Sequence, residues 1–259
     1  MRIATWTVNS VNARLERVLE WLSEESPDVV CLQEIKCVDE KFPREPIEAL
    51  GYNVETHGQK SYNGVALLSK FPIEDVRRGL PGDDEDVQAR YIEAVIGSPT
   101  PIRVASIYLP NGNPLGTEKF PYKLNWMARL YQHAAELLTL EEPLALAGDY
   151  NVIPTTADVD KPEAWVDDAL FQPESRAAHR ALTFMGLTDA HLAVGADPHA
   201  YTFWDYFRDN FEKNRGIRID HILLSAQAAD RLSASEVSKA VRGREKPSDH
   251  APVIVTLDL

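Results

Sequence analysis

Six short stretches, far apart in the chain, end apolar runs in residues that could do chemistry. The most compact is Leu144-Ala145-Leu146-Ala147-Gly148-Asp149-Tyr150-Asn151. Its first half reads as a buried strand and Gly148 as the point where the backbone turns. Asp149 and Asn151, two residues apart, then face one point beyond the carboxyl end of the strand, where α/β sheets hold their ligands. Thr7 and Asn9 close the first apolar run, Glu34 closes the second, and Tyr108 and Asn111 follow a third. Asp220 lies in Arg218-Ile219-Asp220-His221, and Asp249 and His250 in Ser248-Asp249-His250. Strands laid side by side would gather these carboxylates, amides, a phenol and an imidazole into one pocket.

Such a pocket suits a hard divalent cation. Mg²⁺ prefers oxygen ligands and takes one or two protein carboxylates plus substrate phosphate. Cys31 and Cys37, the two cysteines, lack metal-type spacing, and no second histidine stands at a motif-like distance from His250. A metal with carboxylate, imidazole and phenol fits phosphodiester hydrolysis, which needs an anion neutralised, a water activated and a leaving alkoxide stabilised.

The elements that must position these groups read as alternating strands and helices. Residues 2–8 alternate as a strand, Arg14–Ser23 carries helical spacing, and Asp28–Leu32 is a continuous apolar strand. A short helix spans Glu45–Leu50. Further strands are read at Tyr52–Thr56, Val65–Ser69, Tyr91–Ile96, Ile102–Tyr108, Tyr201–Tyr206, Ile217–Leu224, Glu236–Val241 and Val253–Leu257. Arg77–Arg90 reads as a polar loop. A long helix from Pro121 to Leu140 turns Leu124, Met127, Leu130, Tyr131, Ala134 and Leu137 to one side, and a second helix runs from Glu174 to Met185. So many strands exceed one simple sheet. Two sheets packed face to face with helices outside is the economical α/β solution, and with no linker or clear repeat the 259 residues read as a single domain, 1–259.

No apolar run approaches a membrane span, and the chain begins directly in a strand pattern, so a cytoplasmic protein is expected. The net charge of −13 argues against non-specific nucleic-acid binding. A local basic rim is still compatible with it, and the candidates cluster at Lys119/Lys123/Arg129, Arg208/Lys213/Arg215/Arg218 and Arg242/Arg244/Lys246.

Taken together, Trp6-Thr7-Val8-Asn9-Ser10, Leu32-Gln33-Glu34-Ile35-Lys36, Tyr62-Asn63-Gly64-Val65-Ala66, Tyr108-Leu109-Pro110-Asn111-Gly112, Gly148-Asp149-Tyr150-Asn151, Trp204-Asp205-Tyr206, Arg218-Ile219-Asp220-His221 and Ser248-Asp249-His250 resemble the exonuclease III family of apurinic/apyrimidinic (AP) endonucleases. The resemblance covers the chain in order. It implies the endonuclease/exonuclease/phosphatase fold, a four-layer α/β sandwich of two mixed sheets flanked by helices. It also implies a Mg²⁺- or Mn²⁺-dependent nuclease that incises 5′ to abasic sites in duplex DNA, trims 3′ ends, and works as a monomer. Carried over by residue, it makes Glu34 the main metal ligand, with Thr7, Asn9, Asp149, Asn151 and Asp249 around the metal. Asp149 then orients and deprotonates water, and Asn151 holds phosphate or that water. His250 paired with Asp220 stabilises charge, Tyr108 and Asn111 contact phosphate, and Phe203, Ile217 and Ile219 line an abasic-sugar pocket. One position departs. Thr7 stands where the family pattern has asparagine, and a single hydroxyl on a shorter stem cannot serve both metal and phosphate as an amide can. Reduced metal affinity or turnover is therefore expected. Two alternatives follow: a catalytically weakened homologue that binds damaged DNA, and a phosphodiesterase of the same superfamily acting on another substrate.

Overall fold

The apolar runs are too continuous for sheets with a wet face. Val29–Gln33 and Val65–Ser69 are buried at every position, so both faces of these strands need covering. The computed structural model, which describes residues 1–195, 197 and 199–259, meets that need with two stacked sheets between helical layers. Its strands are β1 (Arg2–Thr7), β2 (Val29–Gln33), β3 (Asn53–His57), β4 (Val65–Ser69), β5 (Ile73–Arg78), β6 (Tyr91–Ile96), β7 (Ile102–Tyr108), β8 (Leu144–Asp149), β9 (Thr188–Asp189), β10 (Asp220–Leu224), β11 (Leu232–Val237) and β12 (Val253–Leu257). The main helices are α1 (Leu15–Glu25), α2 (Arg44–Glu48), α3 (Lys119–Leu138) and α4 (Pro173–Phe184).

Both sheets are mixed and six-stranded, in the orders β11-β12-β1-β2-β4-β3 and β5-β6-β7-β8-β10-β9. Each has a central parallel pair, β1/β2 in the first and β7/β8 in the second, with antiparallel strands on either side. This repeated pattern leaves no repeat in the sequence. Ile3, Val29, Cys31, Val65 and Leu67 of the first sheet meet Ile92, Val104, Ala145, Ala147 and Ile222 of the second in one buried cluster. The alternate residues Ala4, Trp6, Val30 and Leu32 turn outward onto Val18, Trp21 and Leu22 of α1. On the far side Ala105, Ile107, Leu144 and Leu146 pack against Trp126, Met127 and Leu130 of α3 and Leu182 of α4.

Several expectations about local structure are corrected. Ile73–Arg78 is an edge strand, its alternation hidden by exposed charges. Tyr201–Tyr206 is not a strand; Phe203 makes isolated bridges to Ile217 and His250. β10 begins only at Asp220, and the strand read at Glu236–Val241 lies at Leu232–Val237, followed by a 3₁₀ turn. The buried face of α3 is rotated from the all-apolar stripe. It carries Lys123, Trp126, Met127, Leu130, His133, Ala134 and Leu137, so two polar residues point inward.

Candidate active site

Strand register assembles the site. Parallel pairing of β7 with β8 sets Tyr108 beside Asp149, and antiparallel pairing of β10 with β8 sets Asp220 on the other side of Asp149. The phenol and two carboxylates thus end one row of the second sheet. In the first sheet Thr7 pairs with Gln33, so Asn9 and Glu34 leave the same edge. Gly148 stays within β8 instead of turning the chain. A Cβ there would lie 1.9 Å from the Ile107 carbonyl oxygen, so glycine is required by the close approach of β7. The turns come one or two residues past the strand ends, where Asn9 (φ 49), Glu34 (φ 52) and Asn151 (φ 47) hold left-handed backbone. Outside glycine such conformations are uncommon and cluster at functional sites.

The side chains form one linked set. Asp149 accepts from the Asn151 backbone N–H (2.8 Å) and from Asn151 Nδ2 (3.1 Å). His250 Nε2 stands 4.0 Å from Asp149 Oδ2, while its Nδ1 is 2.8 Å from Asp220 Oδ2. Tyr108 donates its hydroxyl to Glu34 Oε1 at 2.7 Å. Asn111 Nδ2 donates to Asn151 Oδ1 at 3.1 Å, and Asn9 Nδ2 to Asp249 Oδ1 at 3.1 Å. Thr7 is fully buried, and its hydroxyl lies 3.2 Å from Asp220 Oδ1 and 3.3 Å from Gln33 Oε1. Gln33 Oε1 already accepts from Thr5, so the single Thr7 proton is best spent on the carboxylate.

Electrostatics divides the acids and bases. Burial pushes the Asp149 carboxyl well above the usual carboxylate range, with Asp220 and Glu34 adding to the effect and His250 and the Asn151 amide opposing it. Burial disfavours the His250 imidazolium, but Asp220, Asp149 and Asp249 outweigh it and raise its pKa to about 10. Burial, then the charges of Glu34 and Asp149, keep the Tyr108 phenol protonated.

A cavity of about 230 Å³ opens over these groups. Glu34, Tyr108, Asn111, Asp149, Asn151, Asp249 and His250 form its polar side, and Phe203, Ile217 and Ile219 its apolar wall. Phe203 meets the His250 ring edge-on at 5.0 Å. Of the sequence-derived candidates, only Thr7, Asn9 and Asp220 lie outside this lining. Trp165, Asp168 and Leu170, from the irregular segment after β8, line it as well and were not foreseen; their segment offers no periodicity to read. Arg90 was also missed. Its guanidinium stacks 4.9 Å above the Tyr108 ring. Several supposed rim cations are internal. Arg218 is buried in ion pairs with Asp158 and Asp189, Arg242 is buried on the Trp204 carbonyl, and Lys123 is wholly buried. Lys119, Arg208, Lys213, Arg215 and Lys246 remain exposed.

The donor set fits a hard divalent cation. Lys36 Nζ sits 2.8 Å from Glu34 Oε2 and 2.7 Å from Asn9 Oδ1, an ammonium standing where a metal ion would, so these oxygens converge on one cation-sized point. A second trio, Asp149, Asp220 and His250, is also close-set, but Asp220 already spends one oxygen on His250 and the other on Thr7. The Glu34 and Asn9 oxygens that meet at Lys36 Nζ are the candidate cradle.

Comparison with known proteins agrees with this construction. A model of the Endonuclease/Exonuclease/phosphatase family matches residues 4–250. Exodeoxyribonuclease III of Haemophilus influenzae is 36% identical over 98% of each chain. An AP endonuclease from Archaeoglobus fulgidus superposes over all of both chains with a TM-score of 0.95 and 35% identity. The 3′ phosphatase NExo from Neisseria, solved with a product DNA hairpin, does so with a TM-score of 0.95 and 38% identity. The chain belongs to the endonuclease/exonuclease/phosphatase family. Within it the chain is a phosphodiester hydrolase, and no helix among the described residues is long and apolar enough to cross a membrane.

Proposed function

We propose that this protein is a DNA repair nuclease that cleaves duplex DNA 5′ to abasic sites and removes nucleotides or blocking groups from 3′ ends. The observation that carries the reading is the cavity itself, where hydrolytic groups face the apolar wall of Phe203, Ile217, Ile219 and Leu170. A flipped, base-free sugar can bury its apolar face on that wall, while an attached base has to fit the same small space.

In this reading Asp149 takes a proton from the attacking water, its raised proton affinity suiting a general base. Asn151 fixes the carboxylate through its backbone and side-chain amides. The His250 imidazolium, oriented by Asp220, donates from Nε2 to a non-bridging phosphate oxygen as charge builds. Tyr108 and Asn111 add neutral donors on the other side of the cavity. Water attacks phosphorus, its proton passing to Asp149, and the bond to the 3′ oxygen breaks; the leaving alkoxide takes a proton from solvent, giving a 3′ hydroxyl and a 5′ phosphate. Glu34, with Asn9, Asn151 and Asp249, would hold Mg²⁺ or Mn²⁺, which would supply neutralisation of the phosphate and of the leaving oxygen.

A labelled duplex with one tetrahydrofuran abasic analogue tests the proposal, run with Mg²⁺, with Mn²⁺ and with EDTA beside an intact duplex. Metal-dependent incision 5′ to the analogue is expected. Tight binding without incision would favour a weakened homologue, and preference for a small phosphodiester over the duplex would move the protein to another branch of its superfamily.

A further inference from the structure

Lys123 is a lysine with no exposed surface, on the inner face of α3. A buried amine is costly unless its N–H groups meet acceptors. Here Nζ donates to the backbone carbonyl of Asn111 (3.1 Å) and to that of Asn151. These carbonyls belong to the two loops whose side chains enter the cavity. The same two residues are joined again above, where Asn111 Nδ2 meets Asn151 Oδ1, and Asn151 Nδ2 also reaches the Leu109 carbonyl at 2.9 Å. The lysine stem is packed as closely as its head. A Cβ added at Gly112 would lie 2.7 Å from Lys123 Cδ and 3.1 Å from the Ala169 methyl, and Gly112 holds a φ of +89°. The loop after β7 is thus folded down onto the stem, and helix, loop and site residues form one clamped unit.

We propose that Lys123 is a positioning residue for phosphodiester hydrolysis: it ties the Asn111 and Asn151 loops together from beneath and so sets the placement of Asn151, and through it Asp149, against the phosphate. The inference rests on the hydrolytic reading of the cavity. Lys123 touches no cavity surface and contacts no substrate; it acts through the two asparagines. Lys123 holds the reacting groups in place, so the effect falls on turnover. Misplacement of reacting groups by an ångström can cost on the order of 100-fold.

The test uses the full-length enzyme with Lys123→Met and Lys123→Gln, the abasic-analogue duplex and saturating Mg²⁺. Wild-type incision is the control on the parent reading: its absence removes the proposed function, whatever the variants do. Given wild-type incision, Lys123→Met is expected to lower kcat by 30- to 100-fold with KM changed less than threefold. Lys123→Gln, which keeps an amide donor, is expected to recover part of the loss. In an Asn151→Ala background the Lys123→Met loss is expected to shrink in part, since the side-chain amide it positions is gone while the backbone N–H to Asp149 remains. Circular dichroism and thermal melts select the variant used, and glutamine carries the test if methionine does not fold. Unchanged kcat, a loss confined to KM, or full additivity with Asn151→Ala would overturn the proposal, and so would failure of both variants to fold, which would make Lys123 merely structural.

Discussion

Replacing Asp220 by asparagine removes a charge while keeping a shape. The Asp220 carboxylate is buried, with Oδ2 2.8 Å from His250 Nδ1 and Oδ1 3.2 Å from the Thr7 hydroxyl. At an effective dielectric near 20, two unit charges 2.8 Å apart attract by about 6 kcal/mol, equivalent to roughly four pH units on the imidazole. His250, held at about 10 in the wild type, should therefore titrate near 6 in Asp220→Asn, so about 1 in 100 rings is protonated at pH 8. The assay is single-turnover incision of the abasic-analogue duplex from pH 5.5 to 9 at saturating metal. Loss of the Asp220 charge also lowers the Asp149 pKa, so in acid more of the variant's base is ionised, which adds to the rise of the variant-to-wild-type rate ratio there. That ratio should be about 0.01 at pH 8 and climb toward 1 below pH 6. Stability gives an independent reading. The folded-state pKa of His250 lies above its unfolded value, so its contribution is complete below about pH 6.5 and is lost as pH rises toward 10. The wild type should lose stability over that interval and the variant should not. A rate ratio that stays flat across the pH range would refute the assigned role of the imidazolium.

Four further outcomes follow from other parts of the structure. Asp149→Asn should abolish incision while duplex affinity in a filter or anisotropy assay changes little, and retained cleavage would remove the carboxylate as base. Thr7→Val keeps the shape of the side chain but leaves Asp220 Oδ1 without its hydroxyl donor, so denaturant unfolding should show a loss of about 1–3 kcal/mol. Thr7→Asn tests the family departure directly, and an unchanged metal requirement and kcat would show that threonine costs nothing there. Arg218→Met strands Asp158 and Asp189, whose oxygens lie 2.6 and 2.9 Å from the guanidinium, and should destabilise by about 3–5 kcal/mol at pH 7. Burial opposes ionisation of Asp189, but Arg218 and His221 hold its pKa below the usual range. The ion pair therefore stabilises above about pH 4 and is lost on acidification, so the penalty of Arg218→Met should shrink in acid.

What could be read from the sequence follows what is local. Central strands such as Val29–Gln33 are apolar throughout because both faces are buried, and their polar ends mark the site. Edge strands carry no such mark. Arg77 and Arg78 make β5 look like loop, and the bridges of Phe203 depend on partners more than ten residues away. Gly148 shows how a correct residue can carry the wrong reason, since a turn and a close strand approach both call for glycine. The same limit hides Lys123. A lysine at that position reads as a surface charge or rim cation, because the carbonyls that satisfy it come from loops 12 residues before it and 28 residues after it.

Charge ties these observations together. The site gathers Glu34, Asp149, Asp220 and Asp249, while His250 and Lys36 are the cations bonded among them, in a chain whose net charge is already −13. A phosphodiester brought to this edge meets an excess of negative charge at short range, where screening by salt is weakest. Lys123 and Arg218 cannot relieve it, because each is committed to interior acceptors. A divalent cation held at the Glu34 side, as proposed, would have two tasks, to admit the anion and to stabilise charge as the bond breaks. Metal dependence should accordingly appear in KM for the duplex as well as in kcat. Neutralising Glu34 with glutamine should weaken metal binding without restoring rate, because it removes the ligand and the repulsion together.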